Sequence, residues 1–301
     1  MASSVPPPPP LPPPSHHHFR TPPKTETPTL TIHNPKFERV RRSLLWRGTH
    51  AALPEYLFRC ANGDNLRIRQ ILGGVEKGLG TGAALWDAAL LIARFFECHP
   101  GGYEGEFVVD SDTSRAIKFA VPMVSSARWV ELGAGTSLAG FAAAHCGVGR
   151  VVCTDLPVLL PLIRENIALN QSLLGGRVVE AAYDWAMEPP SEVAQHGPFD
   201  VVLVCECVYH AVPELLLVKA ILALTRPAGG KQPVVLMAYE HRSEHIRRRF
   251  FDLFTRHFYI HCIPHEDHHP DFEVDDINLY VMVPRPDQPA LPADCPCQTA
   301  F

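Results

Sequence analysis

One stretch constrains the fold more than any other: Trp129 to Pro157, "WVELGAGTSLAGFAAAHCGVGRVVCTDLP". An apolar run ends in Glu131 and meets Gly133 and Gly135. A small-residue segment of helical length follows and stops at Gly147, and a second apolar run ends at Asp155. Strand, glycine turn, helix and strand form the first half of a nucleotide-binding α/β unit. Parallel strands need such a crossover, and glycines let the chain turn tightly where a ligand approaches the backbone.

The segments downstream keep the alternation. "PVLLPLIRENIALNQ" predicts a helix with Pro157 near its start, where a missing N–H costs little. "RVVEAAYDW" and "FDVVLVCE" predict strands, "PELLLVKAILALTRP" a helix and "QPVVLMAYE" a further strand. "EHIRRRFFDLFTRHF" predicts a helix and "INLYVMVPR" a late strand. Strands and helices alternating at these lengths imply an α/β, Rossmann-like, mostly parallel sheet with helices on both faces. Upstream, "NLRIRQIL" (Leu66–Leu72) predicts a strand or hairpin and "GGVEKGLGTGA" a glycine-rich loop. "ALWDAALLIARFFE" (Ala84–Glu97) predicts a helix, and "HPGGYEGEFVVDSDTSR" a polar loop.

The ends differ in kind. Residues 1–54 begin with a proline run and three histidines, His16 to His18, which predicts a disordered polyproline II tail. Such a run also suits SH3, WW or profilin-like modules as a ligand. Within it "KFERVRRSLLW" has the spacing of a short helix. Residues 286–301 predict a second, Pro-rich disordered tail, leaving 55–285 as the folded domain. The net charge of −5 provides no basic footprint for nucleic acid. No apolar run approaches the ~20 residues of a membrane span. Nine scattered cysteines without an export signal predict reduced thiols and a cytosolic or nuclear protein. Neither Cys205–Cys207 nor Cys295–Cys297 has a zinc-site partner at suitable spacing.

Two cofactors use such a glycine turn, and details separate them. A dinucleotide fingerprint wants a third glycine where this chain has Leu138. Glu131 would repel a pyrophosphate but suits an ammonium group, and Asp155 suits a ribose diol. A ligand with both a ribose and an amine is S-adenosylmethionine, which leaves an NAD-dependent oxidoreductase the weakest alternative.

The motifs "ELGAGTSLAG", "TDLP", "YDW" and "CECVY" resemble the seven-β-strand S-adenosylmethionine methyltransferases of the non-histone protein-lysine group. "ALWDAALLIARFFE" resembles that group's pre-core helix. "MAYEHRSEHIRRRFFDLF" with "DDINLYVM" looks most like the member acting on a valosin-containing, hexameric ATPase. The resemblance spans roughly Leu66 to Arg285 and implies seven strands with the last antiparallel.

It also implies roles. Glu131 would hold the methionine amino group, directly or through water, and Asp155 the ribose hydroxyls, with an N-cap role open as well. Asp184 and Trp185 would border adenine, Trp86 would lie against the cofactor, and Cys205 would join the cofactor set. Trp185 and Trp86 could equally be core aromatics. On the acceptor side the group's Asp-x-x-Tyr motif appears as Glu206-Cys-Val-Tyr209, one methylene longer. A free lysine has a pKa of about 10.4, so the attacking amine must lose a proton. Glu206 is therefore expected to orient the acceptor, Tyr209 to wall the channel, and Tyr239, unless it is a core aromatic, to form the opposite wall beside Glu240. The "GAGTSLAG" loop also resembles an arginine-modifying relative, and a fold kept without turnover is a third alternative. "HCIPHEDHHPD" (His261–Asp271) holds metal-ligand residue types, but its place between the last two strands predicts a solvated loop near the substrate mouth.

Overall fold

The computed structural model describes residues 48–110, 114–209, 213–227, 232–272 and 274–286. The proline run, His16–His18, "KFERVRRSLLW" and the chain beyond residue 286 lie outside the described residues. The elements are β1 (Glu55–Arg59), β2 (Asn65–Arg69), α1 (Asp87–Cys98), β3 (Gly101–Asp110), β4 (Arg115–Met123) and β5 (Arg128–Leu132). They continue with α2 (Leu138–His145), β6 (Arg150–Asp155), α3 (Leu160–Leu169), β7 (Val178–Ala182) and β8 (Val201–Cys205). Then come α4 (Glu214–Leu224), β9 (Val234–Glu240), α5 (Glu244–His257), β10 (Phe258–Cys262) and β11 (Ile277–Pro284).

Seven strands form the main sheet in the order β10-β11-β9-β8-β5-β6-β7. β9, β8, β5, β6 and β7 pair in parallel, while β11 runs antiparallel to both of its neighbours. This is the expected mostly parallel sheet with its last strand reversed. The central strands are apolar almost throughout because helices cover both faces. Trp129, Val151, Leu203 and Leu236 pack on one face with α1 and α2. Val130, Val152, Val202, Met237 and Tyr239 pack on the other with α4 and α5. No helix among the described residues is long and apolar enough to cross a membrane.

Two expectations need correction. The stretch read as a polar loop is the β3–β4 hairpin, paired from Gly101↔Met123 to Asp110↔Arg115. Its period-two pattern was hidden because glycines and glutamates alternate with Tyr103 and Phe107, and Gly105 lies flat against the Phe119 ring. The hairpin docks on β10 through Phe107 and Phe119, whose rings lie 5.2 and 5.4 Å from that of His261. The His-rich segment is therefore not simply solvated. Tyr103 donates to Asp267 at 2.8 Å, and His268 is buried beside Phe95, its pKa pushed down to about 4 by that burial. No group of His, Cys, Asp or Glu among the described residues is placed to hold a metal.

The folded part also starts before Glu55. His50 is buried against the Leu85 carbonyl at 2.8 Å, and the Gln70 amide donates to the carbonyls of His50 and Leu53.

Candidate active site

Five parallel strands finish at one edge of the sheet, so register alone gathers the predicted residues. Leu132 lies level with Thr154 and Val204, Asp155 with Ala182, and Cys205 with Ala238. The charges of Asp155, Glu131 and Glu206 all act on the Cys207 thiol, whose pKa rises chiefly through burial. Open sheets of this kind bind ligands at this edge, where strand order reverses. Here the reversal falls between β5 and β8.

Past β5 the chain turns through Gly133 (φ 61°), Gly135 (φ 52°) and Ser137 (φ 66°), all left-handed. Only glycine fits the first two. A Cβ on Gly133 would lie 2.8 Å from Cys207 Sγ and 3.2 Å from the Trp185 ring. One on Gly135 would lie 2.5 Å from the Gly82 carbonyl oxygen. Asp155 is nearly buried, accepting from Gly135 N and Leu156 N at 2.8 Å each. Two backbone donors thus fix the carboxylate beside a turn whose own residues, Gly133 and Gly135, carry no side chain.

Glu131 lies beneath the glycine turn. It is 2% exposed, and its Oε2 accepts from Gly140 N at 3.2 Å and from the Cys153 thiol at 3.4 Å. Burial pushes its pKa up to about 8. This carboxyl faces the start of α2 and braces the glycine turn from behind. Asp184 is exposed and accepts from Ala186 N at 2.9 Å, a local turn that presents the half-buried Trp185 indole beside Gly133. Cys205 is half-buried, with a thiol kept neutral by burial.

The glycine-rich loop before α1, left without a role by the sequence reading, lies over this cradle. Gly82 faces Gly135, and Trp86 Nε1 donates to the Thr81 carbonyl at 3.2 Å. Thr81 also hydrogen-bonds the Tyr209 side chain. The available signal was the run Gly78, Gly80, Gly82 ending just before Trp86.

The other half of the edge carries the acids. Glu206 adopts φ 57°, left-handed and rare for a residue with a long side chain. Its N donates to Ala238 O at 3.0 Å, and its Oε2 accepts from Glu240 N at 3.0 Å. Its side chain is 5% exposed, and burial pushes its pKa up to about 8, opposed by Arg242 and reinforced by Glu240. Arg242 reaches Glu240 Oε2 at 2.7 Å and Glu206 Oε1 at 3.6 Å, with its guanidinium 4.7 Å over the Trp86 ring. Sequence reasoning missed Arg242, although it stands two residues beyond Glu240 in "AYEHRS". Tyr239 points to the opposite face of the sheet, 2% exposed with its ring 6.0 Å from that of Phe251. It packs as a core aromatic, with the Glu206 charge acting on its hydroxyl; Trp86 lies against Arg242.

The edge therefore joins a glycine turn with a rim carboxylate to a recessed acid pair bridged by an arginine that lies against an indole. A hollow of about 490 Å³ lined by Glu104, Lys118, Asp200, Gln232 and Val283 lies at the sheet's other edge and contains none of these residues.

The profile of a family described as lysine methyltransferase matches residues 61–257. EEF1A lysine methyltransferase 3 of Mus musculus is 32% identical over 205 residues, covering 67% of this chain and 73% of the mouse protein. Its counterpart in Xenopus tropicalis is 29% identical over 215 residues, covering 71% and 80%. Protein-lysine N-methyltransferase EFM6 of Saccharomyces cerevisiae is 28% identical over 195 residues, covering 60% and 71%.

Proposed function

This chain belongs to the lysine methyltransferase family, and from that premise we propose that its acceptor is a lysine of elongation factor 1A. The activity is S-adenosylmethionine-dependent methylation of a lysine amine in a non-histone protein. The arginine-directed and turnover-free alternatives give way to the family assignment.

The edge fits the cofactor, because Gly133 and Gly135 turn tightly with left-handed backbone that no side chain covers, and the Asp155 carboxylate is fixed beside them by Gly135 N. Bound S-adenosylmethionine supplies a methyl group on a sulfonium. Asp155 would hold the ribose hydroxyls, and Asp184 and Trp185 would border the adenine. Glu131 would act at one remove, fixing Gly140 at the start of α2 behind the glycine turn that would receive the amino group. On the acceptor side, Glu206 Oε2 is committed to Glu240 N, so Oε1 is the oxygen that accepts from the incoming amine. Tyr209, tied to Thr81, and Trp86 keep water from that amine and so favour its neutral form. Holding the two partners in line accounts for most of the acceleration, since good alignment alone is worth roughly 7–11 kcal/mol.

The observation that carries this reading is the acid pair beside the glycine cradle at one sheet edge. The names of the mouse and frog relatives favour elongation factor 1A. The segment "MAYEHRSEHIRRRFFDLF" favours a hexameric ATPase of the valosin-containing type as a second acceptor. All seven described cysteines are free, which supports a cytosolic or nuclear setting. The test is to incubate the purified chain with methyl-labelled cofactor and either protein, then locate the label by peptide mass spectrometry. Methyl-lysine in elongation factor 1A is expected. Label confined to the ATPase would reverse the order of the two acceptors, and methylarginine would remove both.

A further inference from the structure

The acceptor half of the edge already holds a cation. The Arg242 guanidinium lies over the Trp86 ring at 4.7 Å, against Glu240 Oε2 at 2.7 Å and 3.6 Å from Glu206 Oε1. One aromatic face and two carboxylates are the parts from which sites for alkylammonium groups are made. The two acids are recessed, at 5% and 14% exposure, whereas the Arg242 side chain is 42% exposed. A buried structural clasp would enclose the arginine as well. Here the acids are recessed and the occupant is a long side chain reaching in from solvent.

The cage also adjoins the cofactor cradle. Trp86 bonds Thr81, Thr81 bonds Tyr209, and the next residue, Gly82, lies against Gly135. An amine seated where the guanidinium sits would thus be enclosed by the residues that also close the cradle.

We propose that Arg242 is a resident cation occupying the acceptor amine's seat, and that the substrate lysine enters by displacing it from Trp86, Glu240 and Glu206. This rests on reading the edge as the acceptor site, but not on which protein supplies the lysine. With no acceptor present, Arg242 stands against both acids and opposes the burial and the Glu240 charge that raise the Glu206 pKa. An acceptor must then outcompete a tethered guanidinium, which a protein surface docked alongside can do and a free amine does poorly. Arg242 acts as a specificity residue, excluding small amines without taking part in the transfer.

The test uses n-butylammonium as a lysine side-chain probe and ¹⁵N-labelled protein loaded with S-adenosylhomocysteine. The reporter is the indole N–H signal of Trp86. In Arg242→Gln, half-saturation by n-butylammonium should fall about tenfold below wild type, a typical worth for a desolvated cation–π contact with charge assistance. Guanidinium chloride should compete for the same site in the variant. Arg242→Lys restores a tethered cation and should return half-saturation towards wild type. Equal or weaker probe binding in Arg242→Gln, or an Arg242→Lys curve identical to that of Arg242→Gln, would overturn the proposal. Calorimetric binding of S-adenosylhomocysteine, measured on all three proteins, shows that each is folded. Its absence from wild type would count against the methyltransferase reading and leave the cation seat to be judged on the probe alone.

Discussion

The two halves of the sheet's carboxyl edge hold their acids by different means. On the β5–β6 side, backbone N–H groups do most of the holding: Gly135 and Leu156 for Asp155, and Gly140, joined by the Cys153 thiol, for Glu131. On the β8–β9 side, a side chain shares the task. Arg242 spans Glu206 and Glu240, and Glu206 itself sits in a left-handed conformation. A backbone-held site suits a ligand that never varies, because nothing in it needs to move. A side-chain-held site can exchange partners, as recognition of a lysine on another protein requires. The contrast predicts that damage on the first side is steric and affects the cofactor. Damage on the second side is electrostatic and affects turnover.

The largest effect is expected where no atom can be added. Gly135→Ala places a Cβ 2.5 Å from a backbone oxygen at a φ of 52°. Left-handed strain and overpacking together should weaken cofactor binding by roughly 2–5 kcal/mol. Calorimetry with S-adenosylhomocysteine measures this, and an affinity within threefold of wild type would mean that the loop carrying Gly82 is not seated on the cradle. Asp155→Ala comes next. It leaves two backbone donors without their acceptor and removes the ribose contact, a loss of about 1–3 kcal/mol in the same assay. Unchanged affinity with the fold intact would remove Asp155 from the site.

On the acceptor side the signature should invert. Glu206→Gln keeps an acceptor for Glu240 N but loses the carboxylate that, once pH exceeds its raised pKa of about 8, faces Arg242 and the amine. A charged hydrogen bond is worth about 1.5–3 kcal/mol, so kcat should drop by roughly 10–100-fold above pH 8 and by less below it. S-adenosylhomocysteine affinity should hardly change. Tyr209→Phe removes only the hydroxyl that meets Thr81 and should cost less. A Glu206→Gln enzyme that loses cofactor affinity and activity in parallel would erase the distinction between the halves.

The same contrast explains what the sequence disclosed. Glycines at fixed offsets and a strand-ending Asp155 are local signals, because the backbone geometry they serve is local. The cofactor half and the parallel sheet were legible for that reason. The acceptor half depends on a partner from another strand end. Arg242 gains its meaning only when β8 and β9 lie side by side, bringing Cys205 level with Ala238, and when α1 delivers Trp86 to the same spot. Tyr239 was ambiguous because strand parity, which sends it to the opposite face from Ala238, cannot be assigned to site or core before the sheet's two faces are known. The β3–β4 hairpin was missed because glycine and glutamate mask its alternation, and its reason to form is docking on β10.

The smallest effect tests the acid that lies beneath the glycine turn. Glu131 is buried with its pKa pushed up to about 8, against an ordinary 4.5. Between those values the unfolded chain has released this proton while the folded protein keeps it. Folding stability from this group is therefore fully present at low pH and is lost as pH rises through about 8. Glu131→Gln does not titrate, and its amide oxygen can still accept from Gly140 N. The difference in Tm between variant and wild type should grow in the variant's favour as pH rises towards 8, by roughly 2–4 °C for each kcal/mol recovered. Taking the difference cancels the opposing titration of groups common to both proteins, such as His268 with its depressed pKa. Measuring Tm against pH for the pair decides the matter. A flat difference would mean that the Glu131 carboxyl is ionised in the folded protein, and would restore it as a direct partner for the cofactor's amino group.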